Sequence, residues 1–349
     1  MKTLKQTTLA AAVTAALALG ASGQAAAYVY AHSSLNIQNL QIGITGQNLT
    51  GVNIGRFDFN LTNTANLNGS AGIAFATCGG TPGLPGSGAN NCQANPALDA
   101  AAVNLGGAIR TNNAVINNSF TVYGPVGLNV PGDWSNSDSV ITSAELVNLG
   151  SPTNTNQIAE SLLNSGTSAG ASAQIQSITG FTMTFAIAAG TADFSLSFLA
   201  DPDMYAQILG EAPTGNSAQA NMNASITLQR DGGGGFVQWN PEGNGISAGD
   251  CLAAGPGVTC VETADAEDLN INVGVTTNNF ASHSYGPNVP GLVNFGILAS
   301  GLGAGTWTLT LNAVTSTQLN RTAVPEPGML ALLGIGLAGL GFATRRRVK

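Results

Sequence analysis

Runs in which apolar and small polar residues alternate recur along the chain, and a period of two is the signature of β-strands. Phe57, Phe59 and Leu61 alternate with Asp58, Asn60 and Thr62. Phe181, Met183, Phe185 and Ile187 alternate with Thr182, Thr184 and Ala186, and Phe194, Leu196 and Phe198 with Ser195 and Ser197. Ile226 and Leu228 continue the pattern, as do Leu269, Ile271, Val273 and Val275, and then Trp307, Leu309 and Leu311. Each run is bounded by Gly, Asn, Pro or Ser, the residues of turns. A strand with one apolar face and one Thr/Ser/Asn face belongs to an antiparallel sheet wetted on one side. The fold class is therefore all-β. The expected body, residues 28–323, is an antiparallel β-sandwich or jelly roll, and weak repetition within it suggests two related β-units.

Two segments carry helix signals instead. Asn156–Leu163 stops short of Gly166. Asp201-Pro202-Asp203 offers an N-cap and a first-turn proline ahead of Met204–Leu209 and Gly210. One or two short helices are expected there. The repetition is a shared order of short motifs. Thr111-Asn112-Asn113, Tyr123-Gly124-Pro125 and Asn129-Val130-Pro131 are echoed by Thr277-Asn278-Asn279, Tyr285-Gly286-Pro287 and Asn288-Val289-Pro290.

Charge narrows the function. Charged residues make up only 8% of the chain, against about 25% in ordinary domains. Between residues 28 and 327 lie four arginines, no lysine and all eighteen acids. Phosphate backbones are held by clustered Lys and Arg, so a nucleic-acid partner is excluded.

The remaining basic residues mark the two ends. Lys2 and Lys5 precede an apolar stretch, Leu9–Leu19, and then Ala25-Ala26-Ala27. This is the three-part pattern of a secretory signal peptide, residues 1–27, cut by signal peptidase between Ala27 and Tyr28. At the other end Val324-Pro325-Glu326-Pro327 leads into sixteen uncharged residues, 328–343, and then Arg345-Arg346-Arg347. A helix of that length is about 24 Å long, marginal for a ~30 Å hydrocarbon core. The arginines hold its end in the cytoplasm, so the body faces outward.

Motif, helix and basic tail in this order resemble the PEP-CTERM sorting signal, over residues 324–349 only. The resemblance implies that Val324, Pro325, Glu326 and Pro327 are read by exosortase, a membrane-embedded transpeptidase-like enzyme of Gram-negative bacteria. It implies a transmembrane helix, 328–343, that spans the inner membrane transiently, delivery to the cell surface or extracellular matrix, and association with exopolysaccharide, biofilm and floc.

Four cysteines in an exported chain favour disulfides. Cys78–Cys92 and Cys251–Cys260 are the local pairs, and neither spacing suits zinc. Asp250, Glu262, Asp265, Glu267 and Asp268 offer oxygen ligands suited to Ca²⁺, but the D-x-D-x-D-G spacing is missing. They are read as a solvated turn, and no metal or cofactor is assigned. His32 sits near the mature N-terminus, where chains fray. His283 lies in a Ser-rich loop, where a triad with Asp265 would lack a G-x-S-x-G elbow. Gly232–Gly235 reads as a hairpin tip. With no catalytic set, the leading expectation is a non-enzymatic matrix or adhesion protein. A carbohydrate-binding module with Trp134 and Trp239 as platforms comes second, and a secreted hydrolase third.

The C-terminal helix is expected to be missing from the finished protein. Mass spectrometry of the surface or secreted form should find chains ending near Pro325–Pro327. Intact peptides from Gly328–Ala343 on most molecules would mean a permanent anchor.

Overall fold

The computed structural model describes residues 28–46, 52–80, 97–107, 120–127, 132–143, 153–164, 171–210, 215–246, 249–284 and 291–322. The expected signal peptide, residues 1–27, the sorting signal and Cys92 lie outside them. So do the segments 111–113, 129–131 and 285–290 of the repeated motifs.

Among the described residues fourteen strands form one sheet. They are β1 (Tyr28–Thr45), β2 (Val52–Leu67), β3 (Ser70–Gly80), β4 (Ala97–Gly106), β5 (Trp134–Ser143), β6 (Thr153–Asn164) and β7 (Ala171–Leu209). After them come β8 (Ser217–Arg230), β9 (Phe236–Trp239), β10 (Cys251–Ala254), β11 (Thr259–Asp265), β12 (Asn272–Val275), β13 (Asn279–His283) and β14 (Val293–Arg321). The main order is β10-β9-β8-β14-β7-β1-β6-β5-β4; β2 and β13 add to β7, β3 to β2, β11 to β14 and β12 to β8. Every pairing is antiparallel. The all-β expectation holds. The two-sheet sandwich is replaced by one continuous open sheet.

The long strands explain how one sheet closes over a core. β7 has 39 residues and β14 has 29, well beyond the usual 3–10. In β7 the buried positions are odd-numbered through Phe181, Met183, Phe185 and Ile187, then even-numbered through Ala192, Phe194, Leu196, Phe198 and Ala200. A change of parity means the strand has slipped by one residue and turned a corner, keeping its apolar side inward. Gly190 sits in that interval with φ 80°, a conformation open to glycine and strained for most other residues. β14 turns alongside it, with register shifts between Ala299 and Leu302 and between Gly303 and Gly305. Two alternating runs that read as separate strands are thus halves of one strand.

After the corner the two halves face each other. Phe181 and Leu196, both from β7, line the same small apolar cavity with Ile37, Phe59, Ile141, Ile226 and Leu311. β5 and β6 lie across from β7 and β14 without pairing: Ser177 Oγ donates to the Asp138 carbonyl at 3.1 Å, and the Ser161 and Thr317 hydroxyls meet at 2.9 Å. Here the core is polar, and Asn63 Oδ1 accepts from Ser139 and Ser177 at 3.0 Å each.

Neither expected helix forms. Asn156–Leu163 belongs to β6, between β1 and β5, with Ile158 through Leu163 all buried. Both faces are covered, so the alternation that marks a half-wet strand is absent. Asp201–Leu209 is the last part of β7, and Met204, Ala206 and Ile208 are buried in alternation. β14 leaves β7 at Ala200 and β13 joins at Met204. Pro202 falls in that gap, where a missing N–H is tolerated. The one helix among the described residues is α1 (Gly124–Gly127).

Phe185 is fully buried, so Phe185→Ala should cost about 3–5 kcal/mol. A lowered urea midpoint checks this, and an unchanged midpoint contradicts the packing described.

Candidate functional site

Two of the places where buried ionisable side chains gather are assembled by strands distant in sequence. The first lies where β1, β6 and the end of β7 run side by side. His32 and Glu160 are fully buried. Tyr30 Oη donates to Glu160 Oε1 at 2.5 Å, and the same oxygen accepts from the backbone N–H groups of Tyr123 and Gly124, both at 2.9 Å. Glu160 therefore ties the entry to α1 onto β6. His32 Nδ1 lies 3.1 Å from Tyr30 Oη and its Nε2 lies 3.2 Å from Asp203 Oδ1. His32 does not fray: it lies within β1 and its ring is held to β7 through Asp203. Burial, and after it the charges of Asp203 and Glu267, raise Asp201 above the ordinary carboxyl range.

The second place is at the other edge. One carboxylate oxygen each from Asp250, Glu262 and Asp265 lie within 4.8 Å of one another. Glu262 and Asp265 are both 3% exposed, so they are not the solvated turn that their crowding suggests. Trp239 Nε1 donates to Glu262 Oε1 at 2.6 Å, and the Gly243 N–H donates to Asp265 Oδ2 at 2.8 Å. Gly243 has φ 69°, and a Cβ there would stand 2.3 Å from the Asp268 nitrogen, so this donor position admits only glycine. Burial, with a further push from Glu262, raises Asp265 to about 6.

Other expectations are redirected. Cys251 and Cys260 form a disulfide with Cα atoms 5.6 Å apart. Cys78 is also disulfide-bonded. Trp134 and Trp239 are 1% and 0% exposed, so neither offers a binding platform; both rings are packed in the interior, as is Trp307. His283 ends β13, and its Nε2 lies 3.4 Å from Glu267 Oε2, which also accepts from Ser284 Oγ at 3.0 Å. Asp265, imagined as its triad partner, is engaged with Gly243 instead. Gly232–Gly235 forms the turn between β8 and β9, with Arg230 N–H donating to the Gly235 carbonyl at 3.0 Å.

One surface was not legible in the sequence. Phe280, 58% exposed, stacks on Tyr205 at 5.9 Å and 20°. Tyr28 Oη donates to Gln207 Oε1 beside them at 2.7 Å. These residues come from β1, β7 and β13, so no local pattern announces them.

Residues 323–347 match the model of the PEP-CTERM protein-sorting motif. The chain carries this sorting motif. It marks an exported protein that passes through the membrane on its way to the cell surface and has exosortase as its processing partner. No curated protein and no solved structure matches the chain significantly. Among the described residues no helix is long and apolar enough to cross a membrane.

Glu160→Gln keeps the shape of the side chain but replaces charge-assisted hydrogen bonds with neutral ones. It should destabilise the body by about 1–3 kcal/mol. Equal unfolding midpoints for variant and parent would show that the carboxylate does not hold α1 in place.

Proposed function

We propose that this PEP-CTERM protein is a non-enzymatic, structural or adhesive component of the cell surface or extracellular matrix, acting in biofilm or floc formation after its release by exosortase near Pro325–Pro327. The observation that supports the reading is a sorting motif attached to a single sheet whose wet face is uncharged over a wide area. Across β2, β7, β14 and β8 the rows Thr64–Gln176–Ser316–Asn221 and Asn66–Gln174–Gln318–Gln219 stand in register. Most of these side chains line an open hollow of about 510 Å³ that contains no ionisable residue. Hydroxyls and amides donate and accept at once, which suits contact with a neutral, hydrated polymer. His32, sealed in the interior, is out of reach of any substrate.

A second reading is that the body binds the cell's own exopolysaccharide. It no longer rests on Trp134 or Trp239. The exposed Phe280 ring, backed by Tyr205, offers a flat apolar face with the Tyr28–Gln207 polar pair nearby, which fits a sugar ring better than the buried tryptophans do.

Deletion of the gene should reduce floc or biofilm, and re-expression of the full chain should restore it. Undiminished biofilm in the deletion strain would end the matrix reading. A polysaccharide pull-down with the parent and Phe280→Ala separates the second reading, because only a glycan binder loses retention with that ring.

A further inference from the structure

We propose that Asp250, Glu262 and Asp265 form a Ca²⁺ site that clamps β10 and β11 to the turn after β9. Two oxygens on opposite sides of a Ca²⁺ ion stand about 4.8 Å apart, and the three carboxylates converge within that span. Convergence is built in rather than accidental. Residues three apart in a regular strand point to opposite faces, yet Glu262 and Asp265 both point inward, because a register shift between Glu262 and Ala264 inserts one residue. The Cys251–Cys260 disulfide then pins the residue after Asp250 to β11.

A second observation points to a ligand. Asp265 is 97% enclosed, yet its Oδ1 has no hydrogen-bond partner, and neither does the buried Oδ2 of Asp250. Leaving a carboxylate oxygen buried and unpaired is among the costlier arrangements in a protein. The body contains no lysine to compensate it. A divalent cation would supply the missing charge and the missing partner together. Three hard carboxylates, with no histidine among them and the nearby cysteines joined in a disulfide, favour Ca²⁺ over zinc. Asp250 is only partly buried, so it is the ligand nearest to solvent.

The test uses the protein recovered from cells, stripped with chelator and titrated with CaCl₂. One saturable event per chain is expected, with Kd on the order of 10⁻⁴–10⁻³ M, as in extracellular sites. Because Trp239 donates to Glu262, binding should change tryptophan emission. It should also raise the thermal midpoint by a few degrees. Asp265→Asn should weaken binding by about tenfold or more, while the metal-free variant is at least as stable as the parent. Should that variant fail to fold, Asp250→Asn, at the partly exposed ligand, should show the same loss. Calcium that changes neither emission nor midpoint, or a folded variant that binds as tightly as the parent, would overturn the site.

Discussion

Everything in this fold hangs on the pairing of β7 with β14. These strands run together from Ala171↔Arg321 to Ala200↔Val293 and bend at the same place. The other pairings of the main path extend outward from them: β8 lies on one side of β14 and β1 on one side of β7. The partners are far apart in sequence, so the sheet cannot form from local hairpins alone and must close long loops first. The corner decides the architecture. Without the slip near Gly190, the apolar residues of one half of β7 would face solvent, since a one-residue change of phase exchanges the two faces of a strand. With it, Phe185 and Phe194 both point into one core.

That slip also explains what the sequence made legible. Strands with a single wet face, such as β8 with Ala218, Ala220, Met222, Ala224, Ile226 and Leu228 buried in turn, announce themselves by alternation. The two alternating runs of β7 were equally legible, but their continuity was not, because a bulge breaks the period just as a turn does. β6 is illegible for the opposite reason: buried on both faces, it has no period of two, and Asn156–Leu163 then resembles a helix by composition. The end of β7 was misread because Asp201-Pro202-Asp203 is a good local cap. Tertiary pairing with β1 outweighed that local preference.

The sites divide along the same line. The C-terminal sorting motif is contiguous and readable from the sequence alone. The crowding of Glu262 and Asp265 was visible, but their shared face depends on a bulge, and Asp250 reaches them only through the disulfide-bonded strands. The buried state of Trp134 and Trp239 was hidden by Gly- and Asn-rich neighbours that look like loops. The Phe280–Tyr205 stack joins residues from β13 and β7 and left no sequence trace.

A chain with so few cations must hold its buried carboxylates by other means. Glu160 does so with neutral donors: a tyrosine hydroxyl and two backbone N–H groups converge on one of its oxygens. Such donors stabilise an ionised carboxylate without any opposite charge. Glu262 follows the same rule with the Trp239 indole, and one oxygen of Asp265 with Gly243. The supply then runs out. Asp265 Oδ1 and Asp250 Oδ2 are enclosed without a donor, at the point where three carboxylates converge. The same lysine-free composition that suits an uncharged outer face thus leaves these converging carboxylates without a cation of the chain's own. At that position an external cation supplies the charge and the partner that the neutral donors do not.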